Sequence, residues 1–254
     1  MSEKDIMYSK LATYYDMTRH FRDYQAEAEF VDAAIKRYFP DASCLLDVCC
    51  GTGSHAILLA EKGYEIVGVD LSEEMLTIAR QKFECAGLKA KFINVDARTL
   101  EFDAKFDVSY CLGGSFMLLT NYKDINSCLA GVRRALKPGG IFIFSVDNGW
   151  DMLDVPTKKF VSEEGGAKVV WLESGYVDRM KRVRHLDWTW IIEDGGNVSI
   201  ESGVEELRIF FHDELQMLMA NAGFEITAMF GDKLLDIPFH AKSEHIVMVA
   251  NRPL

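Results

Sequence analysis

Residues 45–56 read Leu45-Leu46-Asp47-Val48-Cys49-Cys50-Gly51-Thr52-Gly53-Ser54-His55-Ala56. The apolar run at 44–49 predicts a strand, and 54–62 carries a helical pattern, so the two glycines stand in a tight strand-to-helix turn. Gly51 and Gly53 lack a Cβ, which lets the backbone turn sharply and approach a ligand closely. Taken alone, Gly-x-Gly-x-x-Ala fits a dinucleotide fingerprint or a plain turn equally well.

Outward from this turn the alternation continues. Strands are predicted at 65–70, 90–96, 106–112 and 141–147, with helices at 72–86 and 121–136. Only 98–104 separates the third strand from the fourth, with a poor helical signal. Alternating strands and helices imply βαβ units and a parallel sheet wound on both faces by helices. Ligands bind such sheets beyond the carboxyl ends of the strands.

Upstream, residues 5–40 look helical, with Phe30, Ala33, Ala34 and Tyr38 at helical spacing and Pro40-Asp41 as the stop. Downstream, 169–177, 183–192 and 197–210 read as a three-stranded antiparallel meander. Asp194-Gly195-Gly196-Asn197 is one of its turns. A helix at 212–222 and strands at 224–230 and 245–250 complete the pattern, the last two joined by a loop holding Pro238. The expected organisation is an N-terminal helical cap at 1–41 and a core formed by 42–147 with 211–254. An inserted antiparallel lid at 148–210 is the expected substrate region.

The chain has 254 residues, 49% hydrophobic and 26% charged, which is ordinary for a globular protein able to bury its own core. Its 28 basic and 39 acidic residues give a net charge of −11, which weighs against binding duplex DNA through general phosphate neutralisation. Met1-Ser2-Glu3-Lys4-Asp5 opens no apolar signal segment, and no apolar run nears the ~20 residues of a membrane span. The six cysteines form no Cys-x-x-Cys pair and mostly sit in apolar runs, as reduced thiols of a cytoplasmic protein do.

Two aspartates at strand ends sharpen the reading of the glycine turn. Asp70, in Val67-Gly68-Val69-Asp70-Leu71-Ser72, can accept hydrogen bonds from the vicinal hydroxyls of a ribose. The helix-start role is already filled by Ser72, Glu73 and Glu74. Asp96, in Asn94-Val95-Asp96-Ala97, is placed either to accept from an adenine amino group or to form a solvated turn. Together the three strand ends outline a pocket for an adenine nucleoside.

These stretches, with Leu136-Lys137-Pro138-Gly139-Gly140 ahead of the fifth strand, resemble the class I S-adenosylmethionine-dependent methyltransferases, in the form that acts on small molecules. The match in order and spacing runs from about residue 42 to 147, and the C-terminal helix and hairpin also resemble that fold. The resemblance implies a mostly parallel seven-stranded sheet with an antiparallel last strand, and S-adenosyl-L-methionine as cofactor. It implies that Asp47 and Gly51–Gly53 floor the methionine part, with Cys50 standing where the family usually has alanine or glycine. It implies that Asp70 and Leu71 hold the ribose and flank the adenine, that Asp96 and Ala97 meet the adenine edge, and that Cys111 and Leu112 flank the methionyl group by backbone. Tyr14-Tyr15-Asp16 resembles an element that helps close the site in small-molecule enzymes, so Tyr15 is a candidate contact or a packing residue.

Several absences narrow the acceptor. The strand-four end Asp107-Val108-Ser109-Tyr110-Cys111-Leu112-Gly113-Gly114-Ser115 lacks the Pro-Pro-Tyr loop of amino-methylating DNA enzymes and the Pro-Cys nucleophile of cytosine enzymes. No metal-ligand cluster accompanies the strand ends. The expected activity is therefore methyl transfer by in-line displacement to N or O of a small molecule, with no metal and no nucleic acid. Candidate general bases are Tyr15, Tyr110, His185, His20 and His55, which the sequence does not rank. Asp147-Asn148 end the fifth strand and can face the acceptor. Aromatic and basic residues of the inserted region, among them Trp171, Trp188, Trp190, Arg184 and Arg208, suit a pocket wall or a half-buried sheet, with Arg208 expected to pair at the surface. Two alternatives remain: a non-catalytic S-adenosylmethionine-binding regulator, and a nicotinamide-dependent oxidoreductase using the same glycine turn.

Overall fold

A computed structural model describes residues 6–19, 21–232 and 237–254. The chain runs α1 (Tyr15–Thr18), α2 (Tyr24–Tyr38), β1 (Cys44–Val48), α3 (Ser54–Glu61), β2 (Glu65–Asp70), α4 (Glu73–Cys85), β3 (Ala90–Asn94), β4 (Phe106–Cys111), α5 (Tyr122–Ala135) and β5 (Leu136–Asp147). It continues with β6 (Lys158–Glu164), β7 (Ala167–Asp178), β8 (Val183–Asp194), β9 (Asn197–Arg208), α6 (His212–Asn221), β10 (Glu225–Phe230) and β11 (His245–Asn251). The N-terminal expectation needs correction. Only α2 is a sustained helix before β1, because Asp23 caps it by accepting from Ala26 N at 2.9 Å, and short turns precede it. His20 lies outside the described residues, as does the opening Met1–Asp5 stretch.

The main sheet has seven strands in the order β10-β11-β5-β4-β1-β2-β3. β1 to β5 are parallel, and β11 is antiparallel to both of its neighbours, β5 and β10. Strand order reverses between β1 and β4, which opens a crevice at their carboxyl ends. β4 is buried along its whole length, the mark of a strand covered on both faces. One face packs Leu46, Val69, Phe142 and Phe144 against Leu129, Val132 and Leu215 of α5 and α6. The other packs Leu45, Ile66, Val108 and Ile143 against Val31, Ile35 and Leu59 of α2 and α3.

Asp107 ties the base of the sheet together. Its Oδ2 accepts from Ser43 N at 3.0 Å and Cys44 N at 2.9 Å, and Lys137 Nζ donates to Oδ1 at 2.7 Å. Burial alone would raise its pKa; Lys137 and the two backbone N–H groups outweigh that and hold it below the usual carboxylate range.

The second sheet has four antiparallel strands, β6-β7-β8-β9, rather than the expected three. The extra strand, β6, joins β7 through the two-residue turn Gly165-Gly166. Met7 and Leu11 of the N-terminal segment pack on Trp171, Trp188 and Trp190 of this sheet, forming a third apolar cluster. The apolar residues near the N-terminus therefore serve the second sheet, not an extension of α2.

Candidate active site

A cavity of about 690 Å³ opens over the carboxyl ends of β1 and β2. Cys49, Gly51, Asp70, Leu71, Val95 and Ala97 line it from the strand ends. Ser115 and Leu118 come from the turn after β4, Tyr8 and Tyr15 from the N-terminal segment, and Glu205 from β9. A second cavity, about 540 Å³, adjoins it and reaches Arg19, Trp171, Glu173, Arg184, Asp147 and His245. Tyr8, Tyr15, Ser115, Leu118 and Glu205 line both.

Asp70 anchors the first cavity. Its Oδ2 accepts from Gly51 N at 2.8 Å and its Oδ1 from Ser72 N at 2.9 Å, so β2 is stitched to the glycine turn and to the start of α4. Burial raises its pKa, and the backbone donors offset this only in part, so it stays above the usual carboxylate range. Each carboxylate oxygen keeps a further lone pair for a ligand. Gly51 has φ +53°, and a Cβ built on it would meet nothing within 4 Å. A side chain there would project into free space beside the cavity wall.

The five-residue turn from Cys49 to Gly53 places its two cysteines differently from expectation. Cys49, not Cys50, has the left-handed backbone, at φ +59°, where glycine is favoured, and Cys49 lines the cavity. Cys50 is turned away: its Sγ would sit 2.9 Å from a Cβ on Gly68. Gly53 does not line the cavity either; at φ +74° it starts α3, and a Cβ would come 3.1 Å from Ala79 Cβ. Its role is close packing of the turn on α4.

Asp96 sits at the end of β3 but is engaged by protein groups. Arg98 donates to both of its oxygens and also reaches Asp124 at 2.9 Å. The Arg98 guanidinium beside Asp96 holds its carboxyl below the usual range. Its chain neighbours Val95 and Ala97, not Asp96 itself, face the cavity. Asp47 is fully buried next to Tyr110 on β4, its cross-strand neighbour. Burial pushes both groups up, and neither lines either of these two cavities. Cys111 and Leu112 are buried behind the wall, and the Cys111 thiol is raised chiefly by its contact with the Cys49 thiol.

Of the catalytic candidates, Tyr15 lines both cavities, whereas Tyr110 and His185 line neither. His185 stacks on Tyr176 at 4.6 Å and lies 3.2 Å from Glu206. His55 Nε2 meets Glu27 Oε2 at 2.7 Å, under α2. Asp147 faces the second cavity, while Asn148 is buried and donates to Ser243 O at 2.7 Å. Arg208 is not a surface residue: it is 5% exposed and pairs with Glu214 at 2.5 Å. Tyr8, Cys49 and Glu205 line the cavity without having been expected there, and no motif marks them. Tyr8 and Glu205 meet only through the fold, where Tyr8 Oη donates to Glu205 Oε1 at 2.5 Å.

Residues 45–140 match a family model described as a methyltransferase domain. The dTDP-3-amino-3,4,6-trideoxy-alpha-D-glucopyranose N,N-dimethyltransferase of Streptomyces venezuelae is 30% identical over 180 residues, covering 65% of this chain and 74% of that enzyme. The chain belongs to the class I S-adenosylmethionine-dependent methyltransferases. The fold of this methyltransferase is shared by an S-adenosylmethionine-dependent methyltransferase from Clostridium acetobutylicum, with a TM-score of 0.85 at 22% identity over 96% of this chain and 98% of the other. The sugar N-methyltransferase KedS8 from Streptoalloteichus superposes with a TM-score of 0.78 at 26% identity, covering 92% and 90% of the two chains. As a class I methyltransferase the protein uses S-adenosylmethionine. The residues present fit that cofactor: free space beside Gly51, a carboxylate with spare lone pairs at Asp70, and apolar Leu71, Val95 and Ala97 facing a planar base.

Proposed function

We propose that this methyltransferase moves a methyl group to a nitrogen of a small-molecule amine by in-line displacement. The observation that carries the reading is the meeting of the two cavities at Tyr8, Tyr15 and Glu205. One cavity has the strand-end residues that suit the cofactor, and the other is walled by the second sheet. The relatives support nitrogen: the Streptomyces venezuelae enzyme is named an N,N-dimethyltransferase and KedS8 a sugar N-methyltransferase.

When bound, the cofactor supplies an electrophilic methyl on a sulfonium that serves as its own leaving group. The protein's part is placement, which can account for up to ~7–11 kcal/mol of a barrier when two reactants are held in line. Asp70 would hold the ribose, Leu71 and Ala97 the adenine, and Gly51 with Cys49 the methionine end. Asp47 would support the floor from beneath, and Cys111 and Leu112 would back the wall. Glu205 accepts from Tyr8 through one oxygen and keeps lone pairs for an acceptor N–H, with Tyr15 beside it. An amine bound there as the neutral base loses a proton after transfer, and the Glu205 carboxylate is the acceptor at hand. The N-terminal segment and residues 148–210 act as the cover that keeps water from the junction.

A labelled-methyl assay against paired small amines and alcohols of matched skeleton tests the reading. Label on amines supports it. Label on hydroxyls alone, or on neither while calorimetry shows the cofactor bound, overturns it.

A further inference from the structure

The second cavity holds polar donors that no protein group satisfies among the described residues. Arg184, on β8, is 9% exposed and its Nε has no hydrogen-bond partner. Trp171, on β7, is 6% exposed and its Nε1 is equally unpartnered. Both line the cavity. Buried donors left unmatched are unfavourable, and a buried guanidinium without a counter-ion more so. Arg208 and Arg22 also leave Nε unpaired, but each guanidinium has an ion pair, Arg208 with Glu214 at 2.5 Å and Arg22 with Glu27.

Among the described residues Arg184 has no ion-pair or hydrogen-bond partner. Glu173 shares the cavity, yet no hydrogen bond or ion pair among the described residues joins the two. Burial pushes the Glu173 carboxyl up towards its neutral form, against the pull of Arg184. Arg19 adds positive charge to the same wall while stacked 4.9 Å from the Tyr15 ring and 4.7 Å from the Trp171 ring. Lys158 stands at the cavity's exposed side. The wall carries carboxylates too, at Asp147, Glu173 and Glu205, but none of them pairs with Arg184 among the described residues, which leaves its guanidinium open to an anionic acceptor.

We propose that Arg184 and Trp171 form a subsite for an oxyanion, carboxylate or phosphate, carried by the methyl acceptor. The proposal rests on the second cavity being the acceptor site. Arg184 lines that cavity alone and not the junction with the first, so the anion sits away from the reacting nitrogen. Contacts so remote act on ground state and transition state alike, and their loss raises KM more than it lowers kcat.

The test uses the full chain saturated with S-adenosylhomocysteine. Its unfolding midpoint is followed against rising inorganic phosphate, pyrophosphate, acetate and succinate. A saturable rise with phosphates or with carboxylates is expected, weakened at least tenfold in Arg184→Gln and reduced in Trp171→Phe. Which class acts identifies the group on the acceptor. Calorimetry showing unchanged cofactor affinity in both variants establishes that they fold. No rise with any oxyanion, or an equal rise in Arg184→Gln, overturns the subsite. Turnover of paired probes separates this from the amine reading: glucosamine 6-phosphate against glucosamine, and glycine against glycinamide. If amines are methylated but Arg184→Gln leaves the preference for the anionic member unchanged, the subsite fails and the amine reading stands. If oxyanions bind through Arg184 yet no amine is methylated, the reverse holds.

Discussion

Thr52 Oγ1 donates to Asp16 Oδ1 at 2.6 Å, joining the middle of the glycine turn to α1 across 36 residues of sequence. Lys82 of α4 completes the tie, with its Nζ 2.6 Å from Asp16 Oδ2. The segment that carries Tyr8 and Tyr15 over the cavities is thus fastened directly to the cofactor turn. Asp16→Ala is expected to weaken cofactor binding about tenfold, the equivalent of one or two lost charge-assisted hydrogen bonds. Overall stability should fall by less than about 1 kcal/mol, because both partners of the ion pair are part-exposed. Calorimetric titration and a denaturant melt check the two halves; equal cofactor affinity in the variant would show that the tie plays no part in closure.

Asp70→Ala removes an acceptor from the cavity and unpairs Gly51 N and Ser72 N. Cofactor affinity should fall by ~1–3 kcal/mol or more. Affinity unchanged by calorimetry would remove Asp70 from the ribose role.

Cys49 adopts a left-handed backbone at φ +59°, which costs a residue with a Cβ about 1–2 kcal/mol. Cys49→Gly should therefore unfold no earlier than the parent, and Cys49→Val, whose branched Cβ worsens the strain, several degrees earlier. Gly53→Ala should act in the damaging direction too, at φ +74° and 3.1 Å from Ala79 Cβ. Thermal melts of the three variants give the order.

Asp107 predicts the acid limb of stability. Its pKa is depressed in the folded chain, so its contribution is present above the unfolded value of ~3.9 and disappears as pH falls through the lower folded value. Asp107→Asn should cost about 1.5–3 kcal/mol at neutral pH and flatten the loss of stability below pH ~4. Denaturant melts from pH 3 to 7 measure both; parallel pH curves for parent and variant would contradict the assignment.

The main sheet was legible because its signals are local. Apolar runs such as 65–70 are long enough to be buried on both faces, and Ser72 and Asn121 cap their helices as side chains of that type do. The resemblance around Gly51 and Asp70 likewise rests on contiguous residues. What escaped depends on distant meetings. Glu164-Gly165-Gly166-Ala167 is a legible hairpin turn, but β6, with exposed and charged positions, looks unlike a core strand. The Tyr8–Glu205 contact spans 197 residues, and no local pattern announces it. Asp96 and Cys50 show what the sequence leaves open: a strand end fixes where the backbone goes, whereas a neighbouring arginine or a left-handed φ decides where the side chain points.

The reversed β11 closes the sheet on one side. Within the main sheet β10 pairs with β11, and β11 joins it to β5. Without residues 245–251 in place, β5 would present the bare edge of Ile141–Val146. A nascent chain halted before that insertion would display an apolar, unpaired strand to its surroundings, a template for sticking to other chains. The residues that finish the sheet are in this sense also the ones that silence it.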